Sequence, residues 1–334
     1  MNIIYKWIHR VWYENAISGI ILIPISGIYF ILIKIKEFLY RYNFLSSNKL
    51  EVPVIVIGNI TAGGTGKTPL VIWLANELKN RGRIPGVISR GYGGSKVKLS
   101  TIVDSKSDPG IVGDEPILIA TRSKCPVVVD SNRVRASMML IEKGVDVIIS
   151  DDGLQHFQLQ RDFEICVVDG SLGFGNHRLI PSGPLRELPS RLKKVDQILV
   201  NGKNTFQSGK SFELLAHKAN RLNGTLCKAL TSFKGKTVHA IAGIGNPKRF
   251  FELLKTFGIK VIEHSFPDHA VFNAKDLNFD DQLEIFMTEK DAIKIDKNTS
   301  DKYWFIPVEV SMKQSTSADL IQNIELCLGN FGKK

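Results

Sequence analysis

The sequence predicts an α/β protein: a P-loop NTPase-type parallel-sheet domain, a smaller C-terminal α/β domain and an N-terminal membrane-anchor helix. Three observations carry that prediction. An apolar run, a glycine-rich turn and a helical pattern follow one another from Val54 to Leu74. Apolar strand-like runs then alternate with helical patterns along the chain, as βα units do. Near the start, Asn15–Ile33 is nineteen residues long without a charge. The expected boundaries are 1–45 for the anchor, 46–202 for the P-loop domain and 203–334 for a smaller domain that closes over it.

Nineteen uncharged residues meet the length a membrane helix needs. Trp7, Trp12 and Tyr13 precede the run and Tyr40 and Tyr42 follow it, where aromatic belts form. No small-residue cleavage site follows, which argues against a signal peptide. Gly19, Pro24 and Gly27 weaken a straight span, and basic residues at both ends leave the orientation open. Residues 1–43 hold five Lys/Arg against two Asp/Glu, a balance that suits anionic headgroups. A buried core helix is the alternative; the expectation is an anchor, spanning or lying partly in one leaflet.

Val52–Ile57 reads as the first strand. The turn Thr61-Ala62-Gly63-Gly64-Thr65-Gly66-Lys67-Thr68 is a phosphate-binding loop, although Thr61 stands where the motif usually has its first glycine. Its glycines let successive N–H groups point at phosphate oxygens, Lys67 reaches the β/γ-phosphates, and the Thr68 hydroxyl ligates Mg²⁺. Pro69 and the spacing of Leu70, Leu74 and Leu78 open a helix over 69–81, whose N-terminus also favours an anion. This is a nucleoside triphosphate site.

Gly86–Ser89 predicts a second strand, running into the turn Ser89–Gly94, where Arg90 is either turn punctuation or an anion contact. Residues 95–112 are polar and without period. Asp114 and Glu115 precede Pro116 and an apolar run, as acids do at a helix start; they could also hold a general base. Val127–Val129 is a strand, and Arg133–Lys143 a helix with Val134, Met138 and Ile141 on one face. Val145–Ser150 is a strand ending in Asp151 and Asp152. Acids in that position hold Mg²⁺ beside a phosphate loop, directly or through water. His156 is either a turn residue or a phosphate contact. Phe163–Asp169 is a strand, and the Gly- and Pro-rich 173–187 a binding loop or lid. Val195–Val200 ends at Asn201-Gly202-Lys203-Asn204, which has neither the spacing nor the Asp of a guanine-reading box.

A polar linker near 203–212 opens the second domain. Val238–Ala242 is a strand leading through Gly243-Ile244-Gly245-Asn246-Pro247 into a helix; the turn is too short to read as a dinucleotide motif. A strand at 261–262, a strand-to-helix junction at 286–294, a strand over Tyr303–Val310 and a terminal helix marked by Leu320, Ile324 and Leu328 complete it.

Composition bounds the chemistry. At 334 residues and 43% apolar content, the chain is globular and long enough for two domains with their own cores. Cys125, Cys166, Cys227 and Cys327 lack C-x-x-C spacing, so neither a zinc site nor a disulfide framework is implied, and a reducing compartment fits. A net charge of +11 calls for an acidic partner, nucleic acid or an anionic membrane. The basic–aromatic interleaving of a nucleic-acid groove is not found, so no nucleic-acid partner is expected.

Taken together, G-N-I-T-A-G-G-T-G-K-T-P (58–69), S-R-G-Y-G (89–93), G-D-E-P (113–116), D-D-G-L-Q-H (151–156), L-I-P-S-G-P-L-R-E (179–187), F-P-D-H (266–269) and M-T-E-K-D-A (287–292) resemble the tetraacyldisaccharide 4'-kinase family. These are the lipid A 4'-kinases of Gram-negative bacteria, and the resemblance runs in order over nearly the whole chain. Ala270 departs from the family, which often carries a His or an aromatic there. The resemblance implies transfer of the ATP γ-phosphoryl group to the 4'-hydroxyl of tetraacyl-glucosamine disaccharide 1-phosphate, giving lipid IVA in lipid A biosynthesis. It implies ATP and Mg²⁺, with Lys67 and Thr68 on phosphate and metal and Asp151, Asp152 and Glu187 completing the metal site. Asp114 becomes the base toward the sugar hydroxyl, oriented by His269 from the second domain. Glu115, Arg133, His156 and Arg186 become substrate contacts. The implied partners are the lipid A disaccharide precursor and inner-membrane lipids. The implied setting is a monomer at the bacterial inner membrane, its catalytic domains on the cytoplasmic side. A membrane-docked P-loop ATPase switch is the alternative; it would hydrolyse ATP slowly and form no phosphorylated lipid.

Overall fold

The computed structural model describes residues 3–14, 16–95, 99–203, 209–272, 274–296 and 301–332. Asn15, which starts the uncharged run, and Asn204 of the turn after the seventh strand lie outside them, as do parts of the polar stretches 95–112 and 203–212.

Helix α1 (Ile3–Tyr13) and a 3₁₀ turn (Ile17–Leu22) lead into α2 (Ile23–Arg41), which opens on Pro24, a residue pre-organised for a first helical turn. Gly19 lies so close to Val11 that a side chain there would collide with it, and this contact folds the 3₁₀ turn onto α1. Strand β1 (Val54–Gly58) is wholly buried, its alternation sending Ile55 and Ile57 to one face and Val54 and Val56 to the other. There follow α3 (Lys67–Asn80), β2 (Pro85–Ser89), β3 (Thr101–Val103), α4 (Pro109–Val112), α5 (Asp114–Ser123), β4 (Val127–Val129), α6 (Arg133–Ile141), β5 (Val147–Asp151), β6 (Phe163–Asp169), β7 (Gln197–Asn201) and β8 (Lys210–Leu215). Next come β9 (Lys218–Arg221), β10 (Cys227–Ala229), β11 (Thr237–Ala242), α7 (Pro247–Thr256), β12 (Lys260–Ser265), β13 (Ile285–Thr288) and α8 (Glu289–Ala292). The chain closes with β14 (Tyr303–Ile306), β15 (Glu309–Met312) and α9 (Gln314–Gly329).

Two sheets result. The larger runs β15-β8-β7-β6-β1-β5-β2-β4-β3, parallel from β8 to β4 with an antiparallel strand at each edge. Leu70, Leu74 and Leu78 of α3 pack on one face with Ile117 of α5 and Leu320 and Ile324 of α9; Ala136 and Leu140 of α6 pack on the other. Because its parallel strands share a direction, β1, β2, β5, β6 and β7 end on one edge, where α/β sheets place ligands. The smaller sheet runs β10-β9-β14-β13-β11-β12 around Phe233, Phe251, Phe286 and Trp304.

Four expectations change. The polar stretch 95–112 holds β3 and α4, each too short to show a period. The buried face of α6 is Arg133, Ala136, Ser137 and Leu140, and Met138 is 55% exposed, because Arg133 turns inward to bond the Asp151 carbonyl. The strand expected over Tyr303–Val310 breaks around Pro307, which has no N–H to give a ladder, and its halves join different sheets. Nor does residue 203 mark the division between sheets: β8, β15 and α9 all belong to the larger one.

The 3₁₀ turn and α2 are not a core helix. Only 11% of their most apolar window is buried, and Ile17, Ile21 and Ile28 stand exposed. One side nevertheless docks on the loop before residue 187. Ser26 Oγ donates to the Leu179 carbonyl (2.9 Å) and accepts from Ser182 N–H (3.0 Å). Tyr29 Oη donates to the Arg186 carbonyl at 3.1 Å, Trp12 Nε1 to that of Pro181 at 2.9 Å, and Lys36 Nζ to that of Gln155 at 3.1 Å.

Candidate active site

The phosphate loop turns on two glycines in the left-handed region, Gly63 (φ +112°) and Gly66 (φ +94°), where a Cβ would be strained. Thr61 is not among the residues of positive φ, so its position does not require glycine. Neighbours hold the loop from both sides. Ala62 N–H donates to the Pro184 carbonyl (2.7 Å), and Asn201 Nδ2, at the end of β7, donates to that of Thr65 (3.0 Å). The loop's Ala62–Thr68 line a cavity of about 860 Å³ between the two sheets.

Register puts the acids beside the loop: β5 pairs with β1 so that Asp151 lies opposite Ile57. Lys67 Nζ is 3.5 Å from Asp152 Oδ1, and Arg186 Nη1 is 2.8 Å from Asp152 Oδ2. Burial alone would raise the Asp152 carboxyl, but Lys67 and Arg186 hold it well below the usual carboxylate range. Asp151 goes the other way: burial, with Glu115 and Asp152 nearby, pushes it up to about 7. Asp151 Oδ1 and Asp152 Oδ1 are both buried without a hydrogen-bond partner. Of the two acids, Asp152 is paired with cations and Asp151 keeps an oxygen with no cation within ion-pair distance.

Arg133 is 2% exposed and donates through Nη2 to the Asp151 carbonyl (2.7 Å), leaving Nε and Nη1 unpartnered; burial lowers it to about 10. His156 is pushed down to about 3 by burial and by Arg133, Arg90 and Lys36, so it stays neutral at physiological pH. Arg133, Arg186, His156 and Glu115 all line the cavity. Glu187 is not among the residues lining it: Gln155 Nε2 donates to its Oε1 (2.5 Å) and Arg191 Nε lies 3.5 Å from its Oε2.

Across the cleft, His269 adopts φ +60° on the loop after β12, and its Nδ1 lies 3.0 Å from Asp114 Oδ1 at the start of α5. Burial would raise Asp114, but the hydrogen bond from His269 and the charges of Lys290, His269 and Lys294 bring it below its ordinary value. Burial would lower His269, and the bond to Asp114 raises it. Asp114 sits one layer behind the wall, 3% exposed, and its Oδ2 faces Lys294 Nζ at 3.6 Å. Lys290, on α8, approaches His269 Nε2 (3.1 Å), Glu115 Oε1 (3.0 Å) and Asp268 Oδ1 (3.2 Å).

Sequence reasoning had noted M-T-E-K-D-A without giving Lys290 a role. The available signal was Thr288, a helix cap that fixes the residues after it. Asn201, Arg249 and Tyr29 were also missed as site-builders, since each acts through a contact more than 40 residues away.

The family model described as tetraacyldisaccharide-1-P 4'-kinase (LpxK) matches residues 18–325. A tetraacyldisaccharide 4'-kinase of Nitrosococcus oceani is 44% identical over 95% of this chain and 94% of its own length. That of Methylobacillus flagellatus is 40% identical over 96% of each. A crystal structure of LpxK from Aquifex aeolicus, described as an "apo" form in complex with ATP, superposes with a TM-score of 0.76 at 28% identity, over 93% of this chain and 99% of that one.

Proposed function

The chain belongs to the tetraacyldisaccharide-1-phosphate 4'-kinase family, and from that membership we propose how its cleft carries out the family's reaction. The protein is an ATP-dependent 4'-kinase of lipid A biosynthesis. The observation that carries the mechanism is the convergence of Lys67, Asp151, Asp152 and His269 around one cavity, with Asp114 hydrogen-bonded to His269 from behind the wall.

In this reading the P-loop N–H groups and Lys67 bind the triphosphate. The acceptor's 4'-oxygen bonds to the γ-phosphorus while the bond to the β–γ bridging oxygen breaks, and ADP departs. The hydroxyl proton goes to the Asp114–His269 pair, of which His269 lines the cavity. A sugar hydroxyl is a weak nucleophile, so alignment, charge neutralisation and one base are what the protein must supply. Arg133 and Arg186 flank the transferring group, and Glu115 and His156 contact the acceptor. The unpartnered Oδ1 of Asp151, with Asp152 and the Thr68 hydroxyl beside it, fits a divalent cation, and two carboxylates with a hydroxyl are a usual protein share for Mg²⁺. Asp151, Asp152 and Thr68 would hold it, and when bound it neutralises charge across the β- and γ-phosphates. Glu187, held by Gln155 and Arg191, is left out of that set.

The helix docked on the body supports a membrane attachment in one leaflet. Hydrogen bonds from Ser26 to Lys36 keep the catalytic body alongside α2, and a full span would draw that polar body into hydrocarbon. The exposed isoleucines would enter the acyl layer beside an acceptor whose own chains lie there, with the cleft on the cytoplasmic side. Incubating the purified protein with γ-labelled ATP and the lipid disaccharide should place label in the lipid. ATP hydrolysis without labelled lipid would favour the ATPase-switch reading.

A further inference from the structure

Arg90 is the spare cation of the cleft. Five arginines line the cavity: Arg90, Arg122, Arg133, Arg186 and Arg249. Arg122 pairs with Glu289 (2.7 Å) and Arg186 with Asp152 (2.8 Å). Arg133 donates to the Asp151 carbonyl (2.7 Å) and Arg249 to Asn201 Oδ1 (2.6 Å). Arg90 is exposed, and its guanidinium makes no hydrogen bond or ion pair among the described residues. A guanidinium is a five-donor fork without acceptors, and here the whole fork is free for a ligand.

The fold sets where that fork lies. Ser89, the residue before it, donates through Oγ to Asp151 Oδ2 (3.4 Å). By the alternation of a strand, Arg90 then falls on the other face, that of Ile88, whose core includes Tyr29 of α2. Gly91 follows at φ +71°, so close to Val129 and the Val112 carbonyl that a side chain there would collide with both, and this packing fixes the turn. From α2, Ser26, Tyr29 and Lys36 form the docked stripe, and Lys36 gives one N–H to the Gln155 carbonyl beside His156. Burial pushes His156 down to about 3, with Arg133, Arg90 and Lys36 adding to it. Burial also lowers Lys36; Glu187 opposes that, and Arg90 and Arg161 add to it. The nearby carboxylates are taken, Glu187 by Gln155 and Arg191, Asp152 by Lys67 and Arg186. What remains is a patch of two cations and a neutral imidazole with room for an anion.

We propose that Arg90 and Lys36, with His156, form a phosphomonoester subsite that holds the 1-phosphate of the acceptor. The inference rests on the kinase reading, in which the acceptor carries a phosphate at one end and the reacting hydroxyl at the other. The sheet supplies the separation. Strand β2 lies two places from β1, so Arg90 stands about 10 Å along the sheet edge from the start of the phosphate loop. Two linked sugar rings bridge such a gap, and α2 beside the patch is where the acceptor's acyl chains would enter the leaflet. The arginine fork meets the phosphate oxygens in pairs, the lysine adds a point charge, and neutral His156 adds an N–H.

The test is isothermal titration of the full-length protein in non-ionic detergent with two ligands: the lipid disaccharide bearing its 1-phosphate, and the same lipid after that phosphate is removed. The wild type should prefer the phosphorylated lipid about a hundredfold. Arg90→Ala should cut that preference about tenfold, the size of one charge-assisted hydrogen bond. Lys36→Met should cut it less, since Lys36 spends one N–H on Gln155. Arg90→Lys, which keeps the charge and loses the fork, should recover part. A wild type without preference overturns the proposal, and so does Arg90→Ala with the full preference retained. In that last case a raised KM for ATP would place the arginine on the nucleotide instead. Lost flotation of Arg90→Ala with phosphatidylglycerol vesicles, preference intact, would place it on a membrane headgroup and overturn the subsite equally. Binding is read without turnover, so a missing labelled lipid product would count against the kinase mechanism and not against the subsite.

Discussion

Lys67 stands 3.5 Å from Asp152 and, with Arg186, holds that carboxylate charged in a pocket where burial works against it. Lys67→Ala therefore removes both a phosphate ligand and the cation balancing Asp152. Phosphoryl transfer should fall by about 10²–10³-fold, the loss typical of one electrostatic donor. Circular dichroism should show the fold intact, and normal turnover would reject the loop's role. At the base, Asp114→Ala and His269→Ala should each lower kcat strongly with little change in ATP affinity. The double variant should lose far less than the product of the two losses, since the hydrogen-bonded pair acts as one unit; fully multiplicative losses would show independent roles. His156 makes a different prediction. Its folded value near 3 lies below the ordinary 6.5, so below pH 6.5 the unfolded chain gains a proton that the folded one refuses. Stability should thus fall as pH drops from 6.5 toward 3, with a limiting slope of about 1.4 kcal/mol per pH unit from this group. Urea unfolding at several pH values should show that slope reduced in His156→Gln.

Helix α2 combines two roles at the level of an element. Its isoleucines face outward, while Ser26 and Tyr29 bind the loop whose Arg186 reaches Asp152 and whose Pro184 carbonyl holds Ala62. Deleting residues 1–40 should then do more than release protein from membranes. It should also lower turnover in detergent, where no tether is needed, because the 179–186 loop loses its support. Unchanged kcat in the soluble truncation would reduce the helix to a tether. Ser26→Val is the milder probe: it leaves Ser182 N–H unpaired, at a cost of about 1–3 kcal/mol measurable by thermal shift. The uncharged run and its aromatic flanks were legible in the sequence because apolarity is a local property. The docking was not, since a serine or tyrosine in an apolar run reads the same whether or not a carbonyl waits 150 residues away.

Across the whole molecule, the two lobes meet on the phosphate loop. Gly245, in the Gly243–Asn246 turn after β11, lies against the backbone of Gly64, and a Cβ on it would collide with the Gly64 nitrogen. Beside it Arg249 Nη2 donates to Asn201 Oδ1 (2.6 Å), the same asparagine that bonds Thr65, and Arg122 Nη1 pairs with Glu289 at 2.7 Å. The turn after β11 and the shape of the phosphate loop are therefore tied by direct contacts. Gly245→Val should raise KM for ATP about tenfold or more, as geometry lost at a remote contact can. Isothermal titration with an ATP analogue would check it, and unchanged affinity would show that the lobes close without touching the loop.

What the sequence determined by itself was whatever short-range chemistry writes: the phosphate loop, the acids ending β5, the helix start at Asp114, and most strands of both sheets. Periodicity, glycine placement and capping act over a few residues, so they survive in a linear string. The tertiary structure alone decided that β8, β15 and α9 complete the larger sheet, that Glu187 turns to Gln155 and Arg191, and that Lys290 faces His269. Strand pairing and buried polar partners are chosen by which groups a closed core leaves side by side, and a buried donor must find an acceptor wherever the fold supplies one. Lys290 shows the difference most plainly: the sequence offers a lysine on a capped turn, and only folding brings it within 3.1 Å of His269 Nε2.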